Sequence, residues 1–383
     1  MRFADRYKTI QPSGLLKIFQ AAEKMDEVLN LGIGEPDFDT EHDIIDAAAA
    51  AGKKGFTHYP PTRGYPDVRE AVCNYWKRHH ALDCTPDEVI LTVGCLHGLY
   101  LAMRAMINPG DEIILIEPYF APYVSMGEAC GAELVRIETK EENGFTPTVS
   151  DLENAITPRT RILVMNSPCN PTGHVYSREK MEEIAAIAEK HDIFVVSDEI
   201  YESMVYSGKH VSFAALPGMK DRTLTMGGMS KSHCMTGWRV GYAIGPVELI
   251  KVMDFIGTCL TYGLNTLAQK ASAYALNNHD DKMILRKNLF EERMNYAAER
   301  LNKMKNVTCA NAEGAFYLFP NIKNTNLTSE DFVWKLLEGS QVATIPGTAF
   351  GKSGAGHIRI ACTRSMEVLA KAMDRMESFC SSL

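Results

Sequence analysis

Short, nearly continuous apolar runs punctuate the chain from about Glu88 to Pro246. They are Val89–Val93, Glu112–Glu117, Glu133–Ile137, Arg161–Asn166, Ile193–Ser197, Thr223–Met226 and Val240–Ile244. Runs of this length, bounded by polar or turn residues, read as buried strands. Several are separated by amphipathic stretches. The clearest is Arg178–Lys190, where Met181, Ile184, Ile187 and Ala188 fall on one helical face. Strand–helix alternation predicts an α/β fold with a mostly parallel, seven-stranded sheet covered by helices on both faces. The last two runs follow with little helix between them, so part of the sheet is expected to be antiparallel or mixed.

After Asn277 the pattern changes. A long charged helix is predicted over about Asp280–Met304, followed by a strand-like segment at Ala315–Phe319 and a helix near Ser329–Leu337. Two more strand-like pieces lie around Val342–Ile345 and His357–Ala361, and a final helix starts at about Met366. This reads as a smaller α+β domain. The first forty residues have no alternation of their own and are expected to dock on it. The expected division is therefore a large domain, residues 41–280, and a small one made of 1–40 and 281–383.

Composition agrees with that division. A chain of 383 residues, 45% hydrophobic and 23% charged, exceeds what one core usually serves. A net charge of -8 with no basic run argues against nucleic acid as a partner. The opening MRFADRYKTI has no apolar stretch after its charges, so no secretory signal is expected, and no apolar run has the length of a membrane span. The ten cysteines include no CxxC pair, so neither a metal site nor a redox dithiol is signalled. Such a chain is expected to be cytoplasmic, with reduced thiols.

The richest stretch is Ser230-Lys231-Ser232-His233-Cys234-Met235-Thr236-Gly237-Trp238-Arg239. A lysine amine condenses with aldehydes to give a Schiff base. An arginine fork fits a phosphate. An aldehyde that carries a phosphate, pyridoxal 5'-phosphate (PLP), needs both. Other polar residues sit where apolar strands end, the place where open parallel sheets bind ligands. Arg161–Asn166 runs into Asn170-Pro171-Thr172-Gly173, and Ile193–Ser197 runs into Asp198, with Tyr201 three residues on. The strand at Val89 passes through Gly94-Cys95-Leu96 into a helix, whose N-terminal amides favour a phosphate. Taken singly, each has a plainer reading: a turn at Asn170, a helix cap at Asp198, an ordinary strand-to-helix turn at Gly94, a packed ring at Tyr201. Their order and shared position at strand ends carry the argument.

With Leu31-Gly32-Ile33-Gly34-Glu35-Pro36-Asp37-Phe38-Asp39-Thr40, Tyr59-Pro60-Pro61-Thr62-Arg63-Gly64 and His357-Ile358-Arg359-Ile360 added, the chain resembles the class I/II aminotransferases, PLP-dependent enzymes of fold type I, over nearly its whole length. The resemblance implies a role for each residue. Lys231 would bond PLP and act as the proton-transfer base. Asp198 would face the pyridine nitrogen. Tyr201 and Asn170 would hydrogen-bond the ring oxygen. Arg239 and the Cys95 and Leu96 amides would hold the phosphate, with Ser230 as a further donor, and Phe120 would stack on the ring. Arg359 would clamp the substrate α-carboxylate beside Asn170 and the Gly34 backbone. Tyr59 would reach the phosphate of a neighbouring subunit, which implies a homodimer with shared active sites; by itself it also reads as a tyrosine packed in a proline-rich loop. Leu96 and Gly228 stand where many relatives carry a hydroxyl residue, which puts the phosphate contacts in question.

The implied reaction is transfer of an amino group between an α-amino acid and a 2-oxo acid. No Arg or Lys occurs from Gly257 to Asn265, a segment that supplies a cation for acidic side chains in many relatives. Neutral, apolar or aromatic substrates are therefore expected, with Ile33, Tyr262 and Leu264 as pocket candidates. Two rivals remain open at this point. A cystathionine-type C–S β-lyase shares the lysine, the aspartate and the phosphate arginine. A non-catalytic, aminotransferase-like ligand sensor needs a DNA-binding module, and no basic helix-turn-helix pattern is present.

Overall fold

The computed structural model describes residues 14–383; the MRFADRYKTI segment, and the expectation about export that rests on it, lie outside the described residues. Strand β1 (Leu29–Asn30) comes first. Seven strands then form one sheet: β2 (Val89–Thr92), β3 (Glu112–Ile116), β4 (Glu133–Ile137), β5 (Thr160–Asn166), β6 (Phe194–Asp198), β7 (Thr223–Gly228) and β8 (Gly241–Ile244). Their order is β2-β8-β7-β6-β5-β3-β4. Every pairing among β7, β6, β5, β3 and β4 is parallel, whereas β8 runs antiparallel to both β7 and β2. The last of the apolar runs is thus the reversed strand, as the missing helix before it implied.

That single reversal positions the site. Two antiparallel steps restore direction, so β2 points the same way as β7 and the carboxyl ends of β2, β3, β5, β6 and β7 share one edge. Because β8 is reversed, its amino end lies at that edge too, and Arg239 precedes it by two residues. β3 is buried throughout and β5 everywhere but Arg161, whereas β4 at the sheet's end is half exposed and carries Glu133 and Arg136. Central strands buried on both faces must be apolar throughout, and an edge strand need not be.

Helices cover both faces. The 178–190 helix starts at Ser177, whose side chain accepts from the Lys180 amide, and buries Met181, Ile184, Ala185, Ile187 and Ala188. An Ncap hydroxyl followed by apolar residues at helical spacing explains both its start and the face it packs.

The remaining strands are β9 (Tyr317–Leu318), β10 (Val342–Ala343), β11 (Ile345–Pro346) and β12 (Ile358–Ala361). They form a three-stranded sheet, β11-β12-β9, and the parallel pair β1-β10. The run read as one strand at Val342–Ile345 is two, because its halves serve different partners: Val342 pairs with Leu29, and Ile345 pairs with Arg359. One apolar cluster gathers Ile18, Leu31, Phe290, Phe316, Phe332 and Leu369, so Ile18 and Leu31 pack with the C-terminal elements.

The loop between those elements and the sheet is held by ion pairs and hydrogen bonds. Arg293 grips Asp37 at 2.7 and 3.1 Å, and Arg286 reaches Glu41 at 2.7 Å. Thr40 Oγ1 donates to the Cys234 carbonyl at 2.7 Å and accepts from Trp238 Nε1 at 3.0 Å. These contacts tie the Gly34–Glu41 loop to the turn that follows Lys231.

Candidate active site

One cavity of about 370 Å3 opens at the shared strand edge. Of the residues singled out in the sequence, Gly34, Cys95, Leu96, Phe120, Asn170, Asp198, Tyr201, Ser230, Lys231, Arg239 and Arg359 all line it. The convergence follows from the topology. Asn170 lies past β5, Asp198 ends β6, and Lys231 sits in the short helix after β7. Asn166, Asp198 and Met226 are direct register neighbours across the three strands.

Lys231 is the nucleophile candidate. Its Nζ donates to the Gly34 carbonyl at 2.6 Å. Burial pulls its pKa down to about 8, with Arg359 and Arg239 pushing the same way against Glu35 and Cys95. A buried ammonium loses solvation, so the neutral amine is populated near neutral pH.

Asp198 is 4% exposed, and burial pushes its carboxyl up to about 6. Tyr123 Oη donates to its Oδ2 at 2.6 Å and opposes that shift. The Asn166 side chain holds the strand end: Nδ2 donates to the Asp198 carbonyl at 2.8 Å, and Oδ1 accepts from the Asn170 amide at 2.7 Å. Tyr201 is buried and shares a 2.9 Å hydrogen bond with Tyr317.

Arg239 and the helix starting at Gly94 make an anion cradle. Gly94 has φ +71, and a Cβ there would lie 2.6 Å from the Arg239 guanidinium. Only glycine permits both the backbone and the close approach. Helix N-terminal amides and a guanidinium aimed at one place favour a phosphate. Gly228, read as a lost hydroxyl, is constrained by space instead: a Cβ would sit 3.1 Å from Gly241 Cα and the Val240 carbonyl, and 3.3 Å from Cys95 Sγ.

Arg359 is 3% exposed and lies between two rings, 4.7 Å from Tyr317 and 4.9 Å from Phe350. It donates to Asn170 Oδ1 at 2.9 Å and to the Gly32 carbonyl at 2.5 Å, while its Nε has no partner. A buried guanidinium with an unmet donor and no carboxylate beside it is suited to receive one.

Some of the residues singled out lie off this chain's own cavity. Tyr59 is 83% exposed, outside the cavity, with its ring 5.1 Å from that of Tyr262. Tyr262 is therefore no wall of the cavity, and Leu264 is 4% exposed and faces the neighbouring cleft. Ile33 does line the cavity. Sequence reading also passed over Tyr123, Tyr317, Asn166 and Phe19. Asn166 had a signal, a polar residue ending an apolar run. Tyr317 leaves room only for glycine at position 34: a Cβ on Gly34 would lie 1.9 Å from its hydroxyl.

The donor set fits PLP: a depressed-pKa amine for the aldehyde, a guanidinium–helix cradle for the phosphate, and a buried carboxylate without a cationic hydrogen-bond partner for the ring nitrogen. Comparison with known proteins gives the same direction. A model of the family described as aminotransferase class I and II matches residues 26–376. An aromatic-amino-acid aminotransferase of Thermococcus litoralis is 38% identical over 98% of each chain. An aspartate aminotransferase of Geobacillus stearothermophilus is 37% identical over 99% of each. The solved aspartate aminotransferase of Rhizobium meliloti superposes with a TM-score of 0.96 at 36% identity, covering 100% of this chain and 99% of that one.

Proposed function

The chain belongs to the class I and II aminotransferases, and we propose that it uses PLP to move amino groups between neutral, apolar or aromatic α-amino acids and 2-oxo acids. The observation that carries this is the convergence of Lys231, Asp198, Arg239 and Arg359 on one cavity. When bound, PLP supplies an electron sink for the pair left by the broken Cα–H bond. The protein supplies the rest. Arg239, the Cys95 and Leu96 amides and Ser230 would hold the phosphate, and Phe120 would pack on the ring. Tyr201 and Asn170 would hydrogen-bond the ring oxygen, and Asp198 would face the ring nitrogen and favour its protonated form. Arg359, with Asn170 and the Gly34 backbone, orients the substrate through its carboxylate. Lys231 Nζ would act as the proton-transfer base at the substrate Cα.

The substrate class rests on the balance of charge in the cavity. Lys231, Arg239 and Arg359 are its cations among the described residues, and each already has a task. Ile33, Leu96 and Phe19 offer apolar wall instead. Burying a distal carboxylate without a partner is costly, so apolar side chains are favoured. The test mixes the holoenzyme with single amino acids and follows the cofactor's visible absorbance. Phenylalanine, leucine or alanine should convert it at rates well above aspartate; strong preference for aspartate refutes the reading.

The active form is a homodimer in this proposal, with residues 41–280 as the PLP-binding domain and 1–40 with 281–383 as the small one. The 247–260 helix leaves Val252, Phe255 and Leu260 between 44% and 74% exposed, an apolar stripe suited to a second copy. Exposed Tyr59 would then complete the partner's phosphate site. Sedimentation should return twice the chain mass, and Tyr59→Phe should weaken PLP retention about tenfold, the worth of one hydrogen bond to a charged group. A monomer with full activity overturns the shared-site claim. Among the described residues no helix is long and apolar enough to cross a membrane, and the ten cysteines are unpaired, which supports a cytoplasmic setting.

A further inference from the structure

We propose that Cys73 and Cys84 form a reversible disulfide that staples the 66–80 helix to the segment running back along it. No CxxC spacing announces them; the chain's reversal brings them together. The helix ends with Ala81 in the left-handed region at φ 53, and the Leu82 amide bonds back to the Trp76 carbonyl at 3.3 Å. From there the segment retraces the helix. Lys77 Nζ meets Asp83 at 3.1 Å on one side of the pair. On the other side, Arg69 donates to the Pro86 carbonyl and lies 3.7 Å from Asp87. Cys73 lies on the helix face between Arg69 and Lys77, Cys84 lies in the returning segment between Asp83 and Pro86, and Cys84 packs against the apolar cluster that holds Cys73, so the two clamps bring the thiols to one place.

The pair is also chemically prepared. The hydrogen bond from Cys84 holds the Cys73 thiol below the ordinary thiol range, and the same bond, with burial, raises Cys84. Arg69 assists the Cys73 thiolate, and Glu88 opposes it. A thiolate is the reactive form. Cys73 is buried and Cys84 half-buried, so a small oxidant has access from the Cys84 side. With hydrogen peroxide as oxidant, one thiolate takes an oxygen and becomes a sulfenic acid, releasing hydroxide, which is protonated to water. The second sulfur displaces the sulfenic oxygen as another water. Two thiol hydrogens and two electrons leave, and one S–S bond forms. Neither cysteine lines the cavity, so amino transfer persists in both states.

The experiment treats the purified holoenzyme with excess hydrogen peroxide. Remaining thiols are then alkylated in denaturant, and the peptides are mapped by mass. A peptide pair joining Cys73 to Cys84, two hydrogens lighter than its reduced parts and separated by dithiothreitol, is expected. Closing this short loop should raise Tm by about 4 °C, and Cys84→Ser should abolish both the linkage and the rise. Recovery of the two cysteines unlinked, each capped singly, or bridged to other cysteines overturns the proposal. A Tm rise that persists in Cys84→Ser overturns the staple.

Discussion

Lys231→Ala should lower turnover by about 10^4-fold or more, the scale of a lost proton-transfer group, while the protein folds and keeps Asp198 and Arg239 in place to hold PLP. Lys231→Arg should fail nearly as badly. Arginine keeps the positive charge but holds its proton at every working pH, so it cannot serve as a base. Stability offers an independent readout. The folded-state pKa of Lys231 is about 8, below the ordinary 10.5. The unfolded chain therefore binds more protons between pH 8 and 10.5. The apoprotein should gain stability from this group as pH rises through that window, by about 3 kcal/mol in all. Lys231→Ala should lose that slope without losing stability at pH 7. Single-turnover kinetics and denaturant titrations across the window check both statements, and a variant with near-normal turnover would place the base elsewhere.

Asp198→Ala should cost about 10^3-fold in turnover, because it removes the carboxylate that would keep the ring nitrogen protonated. Its pH dependence has a definite sign. The carboxyl is pushed up to about 6 by burial, held back by Tyr123 and the Ile200 amide, raised further by Glu199 and lowered by Lys231. Only the ionised form pairs with a protonated ring, so the apoprotein's affinity for PLP should fall as pH drops through about 6. Tyr123→Phe removes the 2.6 Å donor that favours the ionised form. The acid limb of that affinity should move upward by about one pH unit, the worth of one charged hydrogen bond, with turnover at pH 8 nearly unchanged. An acid limb that stays in place would show that Tyr123 only packs beside the carboxylate.

Most of the elements were legible because burial leaves a local signature. The helix at Arg178–Lys190 and the strand at Glu133–Ile137 begin and end where their patterns begin and end. The 342–346 region was not, because two adjacent short strands with different partners look like one run. Leu264 and Tyr262 stand outside this chain's own cavity, and their neighbours in sequence do not say which copy's cavity they would line.

By itself the order of residues determined the strand–helix alternation and the chemistry at each strand end: the lysine, the aspartate, the arginines and the asparagine turn. These are local properties, set by period, polarity and reactive groups. Only the tertiary structure decided that reversing β8 returns Arg239 to the same edge as Lys231, that Tyr123 bonds Asp198, and that Tyr317 needs the bare Cα of Gly34. Cys73 meeting Cys84 belongs with these. Each is a meeting of residues separated along the chain, decided by strand direction and by which atoms can approach without overlap, and neither quantity is carried by any one segment.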